Sequence, residues 1–274
     1  MSRILCFSGT GNSMYVARLL SEALGGGSVE SLSGERLRKP SEFEVDADSP
    51  SEPVVWVFPT YSWGVPPVVA DFIREVSFGK NALMARHYMV TTCGDDMGRA
   101  DRQWRKLLGR RGITGESAYS VQMPNTYVCM KGFDVDSPEV ARAKIESART
   151  RVEAIAGSII SRGRDMLVRG SFAGLKTGVV YPWFVRFAMS PKPFGVTEVC
   201  RGCGACAGAC PMGNISMVAR GEGVCRPEWG DKCTMCLRCY HMCPHGAVSY
   251  GSKTHGKGRY TMMMAELPDR KSRR

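Results

Sequence analysis

Two runs near the C-terminal end of this 274-residue chain share one spacing. Residues 200–211 read Cys200-x2-Cys203-x2-Cys206-x3-Cys210-Pro211, and residues 233–244 read Cys233-x2-Cys236-x2-Cys239-x3-Cys243-Pro244. The repeat runs on past the cysteines, since "CPMGNIS" matches "CPHGAVS". Three thiolates so spaced lie on one tight loop, and Gly202, Gly204 and Ala205 let backbone amides turn towards the sulfurs. The fourth cysteine begins the chain's exit, where its proline stops a helix from continuing. This is the bacterial-type [4Fe–4S] pattern, in which the fourth cysteine of each run serves the other cluster. The expected ligand sets are Cys200, Cys203, Cys206 and Cys243 for one cluster, and Cys233, Cys236, Cys239 and Cys210 for the second. Zinc prefers four sulfurs from two CxxC knuckles, a pattern that two complete runs overshoot. Cys225, between the runs, reads as a small packing residue. His241 and His245 read as hydrogen-bonding or surface residues.

Of the twelve cysteines, Cys6, Cys93 and Cys129 are scattered over the first 199 residues and nine fall between Cys200 and Cys243. Such clustering suits a local metal site in a reducing compartment better than a disulfide scaffold. The N-terminus enters a strand at once, without a charged stretch and apolar h-region, and no run approaches the ~18 apolar residues of a spanning helix. A cytoplasmic protein without a transmembrane segment is the expectation.

The net charge of +11 is uneven. Residues 1–165 hold 21 Lys/Arg and 20 Asp/Glu, whereas residues 166–274 hold 16 and 6. Two clusters would each bring about −2, so part of the C-terminal basicity offsets them. The rest lies largely in Lys253, Lys257, Arg259, Arg270, Lys271, Arg273 and Arg274. Without a nucleic-acid motif this asymmetry points to a redox protein partner, an acidic one, or an anionic surface.

Before residue 165, β-like runs (Ile4–Phe7, 28–32, Val54–Phe58, Tyr88–Thr92 and Tyr119–Met123) alternate with helical patterns. Met14–Leu24, the stripe Val69, Phe72, Ile73 and Val76, and Trp104, Leu107 and Leu108 mark three helices. A fourth starts at Ser137-Pro138-Glu139, an N-cap with a proline at N1 and an early acid. It places Ala141, Ile145, Ala148, Val152, Ile155 and Ile159 on one face. This alternation predicts an α/β domain over 1–165, with a parallel sheet covered by helices on both faces. Residues 34–53, acidic and rich in Ser and Pro, read as a surface connection. Residues 166–197 form a basic and aromatic connecting segment around "VVYPWFVRF"; a membrane-touching stretch is the sharper alternative. Residues 198–250 form a small α+β cysteine-rich domain, and 251–274 a basic C-terminal tail.

The first strand leads into "CFSGTGNS" at residues 6–13. A phosphate-binding Walker A loop needs a lysine that is missing here, and in GxGxxG terms Met14 occupies the third glycine's place. The remaining option is a hydroxyl-rich loop, which Ser8, Thr10, Gly11, Asn12 and Ser13 fit. Backbone amides, hydroxyls and a helix N-terminus can hold a phosphate there without a cation.

That loop resembles the FMN-phosphate loop of flavodoxins, and the whole chain resembles a family of flavodoxin–ferredoxin fusions. "MPNTY" (residues 123–127) and "GRY" (residues 258–260) also resemble segments of that family. The resemblance implies a flavodoxin-like five-stranded sheet of order 2-1-3-4-5 and an FMN at its switch point. It further implies flavin contacts from Pro59, Thr60, Tyr61, Ser62, Trp63 and Gly64, and from Thr92, Cys93 and Gly94. Either Asn125 and Tyr127 or a partner is expected to cover the face that Cys93 leaves open. The function implied is electron transfer between one-electron clusters and FMN. The alternative is an FMN and iron–sulfur reductase with its own small-molecule substrate.

Overall fold

The computed structural model describes residues 2–221 and 225–262. Five parallel strands form the main sheet: β1 (Ser2–Cys6), β2 (Gly27–Ser31), β3 (Val54–Pro59), β4 (His87–Cys93) and β5 (Gly115–Gln122). Their spatial order is β2-β1-β3-β4-β5, which is the 2-1-3-4-5 order expected. All four pairings are parallel, with Leu5 beside both Glu30 and Trp56.

Alternation along the strands splits the core in two. Leu5, Phe7, Trp56, Phe58 and Met89 face one side, where they meet Val69, Phe72 and Ile73 of α2 (Pro67–Glu75) and Trp104, Leu107 and Leu108 of α3 (Ala100–Gly109). Ile4, Cys6, Val55, Val57, Val90 and Val121 face the other. There they meet Val16, Ala17 and Leu20 of α1 (Asn12–Ala23) and Ala148, Val152, Ile155 and Ile159 of α4 (Pro138–Ile160). Ser137 caps α4, its side chain accepting a hydrogen bond from the Val140 amide. A strand buried on both faces has little polar content to reveal a register, yet β/α alternation alone was enough to place these elements.

Residues 34–53 depart from the surface connection read in the sequence. Leu37, Val45 and Ala47 are buried, and Glu44–Val45 pairs with Ser77–Phe78. The Asp46 carboxylate fixes the segment by accepting from the Ala47 and Ala82 amides, both at 2.9 Å. Three apolar anchors spaced along a polar stretch have no period, so composition hid them.

Residues 173–188 form a helical segment with π-type turns over Lys176–Val180 and Phe184–Ala188. It packs on the turn after β3, with the Tyr181 hydroxyl donating to the Val65 carbonyl at 2.6 Å. The cysteine-rich region carries β6 (Phe194–Val196) paired with β9 (Val248–Tyr250), and β7 (Ile215–Ala219) paired with β8 (Cys225–Trp229), both antiparallel.

Residues 251–262 do not run free as a tail. The Lys257 ammonium donates to the carbonyls of Val128, Met130 and Phe133, and Arg259 donates to those of Tyr240, Gly246 and Val248. Cations that looked like free surface charge are thus occupied by backbone carbonyls. Arg270, Lys271, Arg273 and Arg274 lie outside the described residues.

Candidate functional site

At the C-terminal ends of β1, β3 and β4 the chain walls an open cavity. A strand's end is where an open parallel sheet offers its crevice, and β1 and β3 flank the point where strand order reverses. The loop after β1 supplies Ser8, Gly9, Thr10, Asn12 and Ser13, and the loop after β3 supplies Pro59, Thr60 and Tyr61. Thr92, Cys93 and Gly94 come from the end of β4, and Met123, Pro124, Asn125, Thr126 and Tyr127 from the segment after β5. None of these lining residues is charged, and none is a histidine.

Hydroxyl and amide bonds stitch the loops together. Ser13 and Thr92 share a bond between hydroxyls at 2.7 Å, and the Thr60 amide donates to the Thr92 carbonyl at 2.7 Å. The Asn12 side-chain amide donates to the Pro124 carbonyl at 2.9 Å. Asp136 holds Asn125 by accepting from its backbone and side-chain amides, each at 3.0 Å. Gly11 caps α1 at φ 106°, so the loop turns directly into the helix N-terminus.

Two polar atoms in the wall are buried and have no partner: the Ser8 hydroxyl and the Tyr61 hydroxyl. Buried polar groups are almost always paired, so both hydroxyls are suited to a bound polar ligand. A neutral, hydroxyl-lined crevice at a helix N-terminus fits a phosphate attached to a flat ring system. Burial pushes the Cys93 thiol up to about 12, which leaves it a neutral packing group.

Four residues expected at this cavity do not line it. Tyr61 and Gly64 close a tight turn through mutual backbone bonds of 2.9 Å, with Ser62 at φ 43° and Trp63 at φ 64°. This turn carries Trp63 to the helical segment 173–188, where the Lys176 ammonium stands 5.0 Å from the ring centre. Thr177 donates to the Trp63 carbonyl at 2.7 Å, and the Tyr181 ring packs against Gly64. Gly11 in turn faces Met262.

The eight cysteines gather around two further, small cavities. Cys200, Cys203, Cys206 and Cys243 line the first, with Cys203 exposed. Cys210, Cys233, Cys236 and Cys239 line the second, beneath Phe194 and Trp229. Each set therefore takes three cysteines from one run and one from the other. Among the described residues no group of three or more His, Cys, Asp or Glu is arranged to hold a single metal ion. Three cysteines from one run and one from the other at each cavity is the grouping the two-cluster pattern calls for.

Backbone amides already point at several of these sulfurs. Asn214 donates to Cys210 at 3.4 Å, Met235 to Cys233 at 3.4 Å and Ala247 to Cys243 at 3.3 Å. The Thr234 hydroxyl is buried in the second cavity's wall without a partner among the described residues, and the buried Trp229 indole N–H stands at Cys239. Burial pushes the Cys236 thiol up to about 12, so without a cation beside it the thiol is neutral. His241 is a hydrogen-bonding residue, its Nε2–H donating to the Thr126 carbonyl at 2.7 Å and its Nδ1 accepting from the Tyr260 amide at 3.2 Å.

Gly9, Met123, Pro124, Thr126 and Cys236 line the first cavity without having been expected there, and Cys236 lies farthest along the chain from the rest. It lines both that cavity and the second cysteine cavity. Gly9 makes this possible, because a Cβ there would lie 2.7 Å from the Cys236 carbonyl oxygen. Gly9 itself was readable, standing inside the hydroxyl-rich loop; its contact across the fold was not.

Residues 199–247 match the family described as a 4Fe-4S dicluster domain. Among solved structures, a flavodoxin from Streptococcus pneumonia TIGR4 is 15% identical, with a TM-score of 0.37, over 59% of this chain and 98% of its own. An FMN-dependent NADH-azoreductase from Bacillus anthracis str. Ames Ancestor, in complex with FMN, is 13% identical, with a TM-score of 0.34, over 58% and 99%. No curated protein sequence matches the chain. Taken by its sheet order and its matched segment, the chain joins a flavodoxin-topology sheet to a 4Fe-4S dicluster domain.

Proposed function

We propose that this protein transfers electrons between two [4Fe–4S] clusters and an FMN. The observation that carries the reading is Cys236, a wall residue of the β1–β3–β4 crevice and of the second cysteine cavity. Ser8, Thr10, Asn12 and Ser13 would hold the flavin phosphate with backbone amides and the α1 N-terminus. Pro59, Thr60, Tyr61, Thr92, Cys93, Gly94, Asn125 and Tyr127 would hold the ring. Cys200, Cys203, Cys206 and Cys243 would ligate one cluster, and Cys210, Cys233, Cys236 and Cys239 the other. When bound, these groups supply one-electron chemistry at the clusters and one- or two-electron chemistry at the flavin.

The cavity wall favours a carrier over a reductase with its own substrate. No acid–base pair lines it, and burial raises the pKa of both Tyr61 and Tyr127 above the ordinary tyrosine value. Cys203, exposed in the cavity further from the crevice, marks where a redox partner would reach the clusters.

Anaerobically prepared protein should contain about eight iron and eight sulfide atoms per chain, as two cubanes require. After flash reduction of the flavin, the clusters should bleach at a rate independent of protein concentration. A rate proportional to concentration would place the exchange between molecules and overturn the reading.

A further inference from the structure

The helical segment 173–188 is apolar on both sides. Thr177, Tyr181 and Phe184 face the protein: the Thr177 hydroxyl accepts from the Arg99 amide at 2.8 Å, and Phe184 meets Tyr127 at 5.7 Å between ring centres. The other side carries Leu175, Val179, Trp183 and Phe187, exposed by 58%, 59%, 52% and 64%. Phe172, just before the helix, is 79% exposed. An α-turn has 3.6 residues and a π-turn about 4.4, so a segment mixing both averages close to four. Side chains four apart then stay in one straight row, where a pure α-helix would wind them around the axis.

We propose that this row is a docking face for an anionic lipid surface. A helix that is apolar all round is normally buried, so the outer row calls for an apolar cover. Residues 166–197 contain Arg169, Lys176, Arg186 and Lys192 and not one carboxylate. Arg169 and Lys176 are held by Asp101 and Asp96, which leaves Arg186 exposed beside the row and Lys192 exposed shortly after the helix ends. The Arg186 guanidinium lies 5.5 Å from the Phe187 ring, so cation and aromatic reach the same plane. Trp and Phe flanked by Arg and Lys are the side chains that settle at a headgroup layer.

A protein groove suits a helix that can be enclosed, whereas this one is fixed to its own domain by the bonds of Thr177 and Tyr181. Only a low row protrudes, and a fluid headgroup layer conforms to it without reshaping. No helix among the described residues is long and apolar enough to cross a membrane, so the contact is peripheral.

The test is flotation of the full-length, cofactor-loaded protein with vesicles of phosphatidylcholine alone or with about a third phosphatidylglycerol. The protein should float with the anionic vesicles and not with the neutral ones. Trp183→Ser/Phe187→Ser should weaken partitioning at least about tenfold with iron and flavin content unchanged. Leu175→Ser/Val179→Ser should repeat the loss from the other end of the row. Arg186→Gln should cost about fivefold, the effect of one cation near the surface. Absence of flotation, or unchanged flotation of both double variants, would overturn the proposal. So would self-association, seen by sedimentation, that the same substitutions abolish while vesicles bind nothing, since the cover would then be a second copy.

Discussion

The Ser8 hydroxyl is buried in the crevice wall and bonds to nothing among the described residues. Its loss should therefore leave the fold intact and be felt only by a ligand. Hydrogen bonds to charged groups contribute about 1.5–3 kcal/mol, so Ser8→Ala should raise the FMN dissociation constant about ten- to a hundredfold. Flavin titration at unchanged iron content checks this, and an unmoved constant would remove Ser8 from the phosphate site. Trp229 offers the matching case beside Cys239. Hydrogen bonds to cluster sulfurs raise the potential, so Trp229→Phe should lower that of the cluster it covers, as read by redox titration. His87 differs, because its bonds are complete. Its Nδ1 accepts from the Trp56 indole at 3.0 Å, and its Nε2–H donates to the Ala82 carbonyl at 2.8 Å. Burial holds its pKa down at about 4, against 6.5 when free. The unfolded chain thus takes up a proton before the folded one does. Stability is full above pH 6.5 and drains as pH falls towards 4, by about 2 kcal/mol between pH 7 and 5. His87→Phe should flatten the melting temperature across that interval by several degrees relative to the wild type.

The two cluster loops reach one geometry with different residues. Gly202 and Gly204 have φ 66° and 73°, and Met235 and Leu237, at the same places in the second run, have φ 53° and 59°. Positive φ costs a bulky residue of order 1–3 kcal/mol, which the burial of Met235 and Leu237 offsets. In the first loop the glycines can be separated. A Cβ on Gly204 meets nothing within 4 Å, while one on Gly202 would lie 2.6 Å from the Cys225 carbonyl oxygen. Gly204→Ala should cost about 1 kcal/mol of backbone strain, and Gly202→Ala clearly more. Thermal bleaching of the clusters should follow that order, and equal losses would remove the steric account. This contrast also shows what sequence could reveal of the elements. The glycines announced the first loop, but Met235 and Leu237 adopt the same turn without announcing it. Strands β1, β3, β4 and β5 and helices α1 and α4 were legible because their periods repeat over enough residues. The segment 173–188 was not, since a helix apolar on every side and interrupted by Gly178 and Pro182 has no amphipathic period to detect.

At the scale of the molecule, local chemistry was legible and the contacts between distant parts were not. Spacing grouped the eight cysteines, and hydroxyl content singled out the loop after β1, because each pattern lies within about a dozen residues. Nothing in a sequence brings Cys236 to Gly9, or Tyr260 to Asn12 across 248 positions. Yet that last contact ties the two cofactor regions into one thermodynamic unit. The Tyr260 hydroxyl donates to the Asn12 side chain at 2.9 Å, and the Met262 amide donates to the Thr10 carbonyl at 3.0 Å. The same strand of chain is anchored in the dicluster region by Arg259 and by the Tyr260 amide on His241. An ordered cysteine region therefore holds the loop after β1 in place, and on the proposed function that loop is where FMN would bind. Binding free energies are reciprocal, so FMN must tighten the hold on iron by whatever factor intact clusters tighten FMN, and iron loss should slow with it. Tyr260→Phe deletes one buried hydrogen bond in this link, worth about 1 kcal/mol, and should weaken FMN about fivefold. More tellingly, it should shrink the protection that FMN gives against iron removal by a chelator, while the rate without FMN stays close to that of the wild type. A variant that bound FMN more weakly but kept the full protection would show that the two regions are coupled through Gly9 and Cys236 and not through Tyr260.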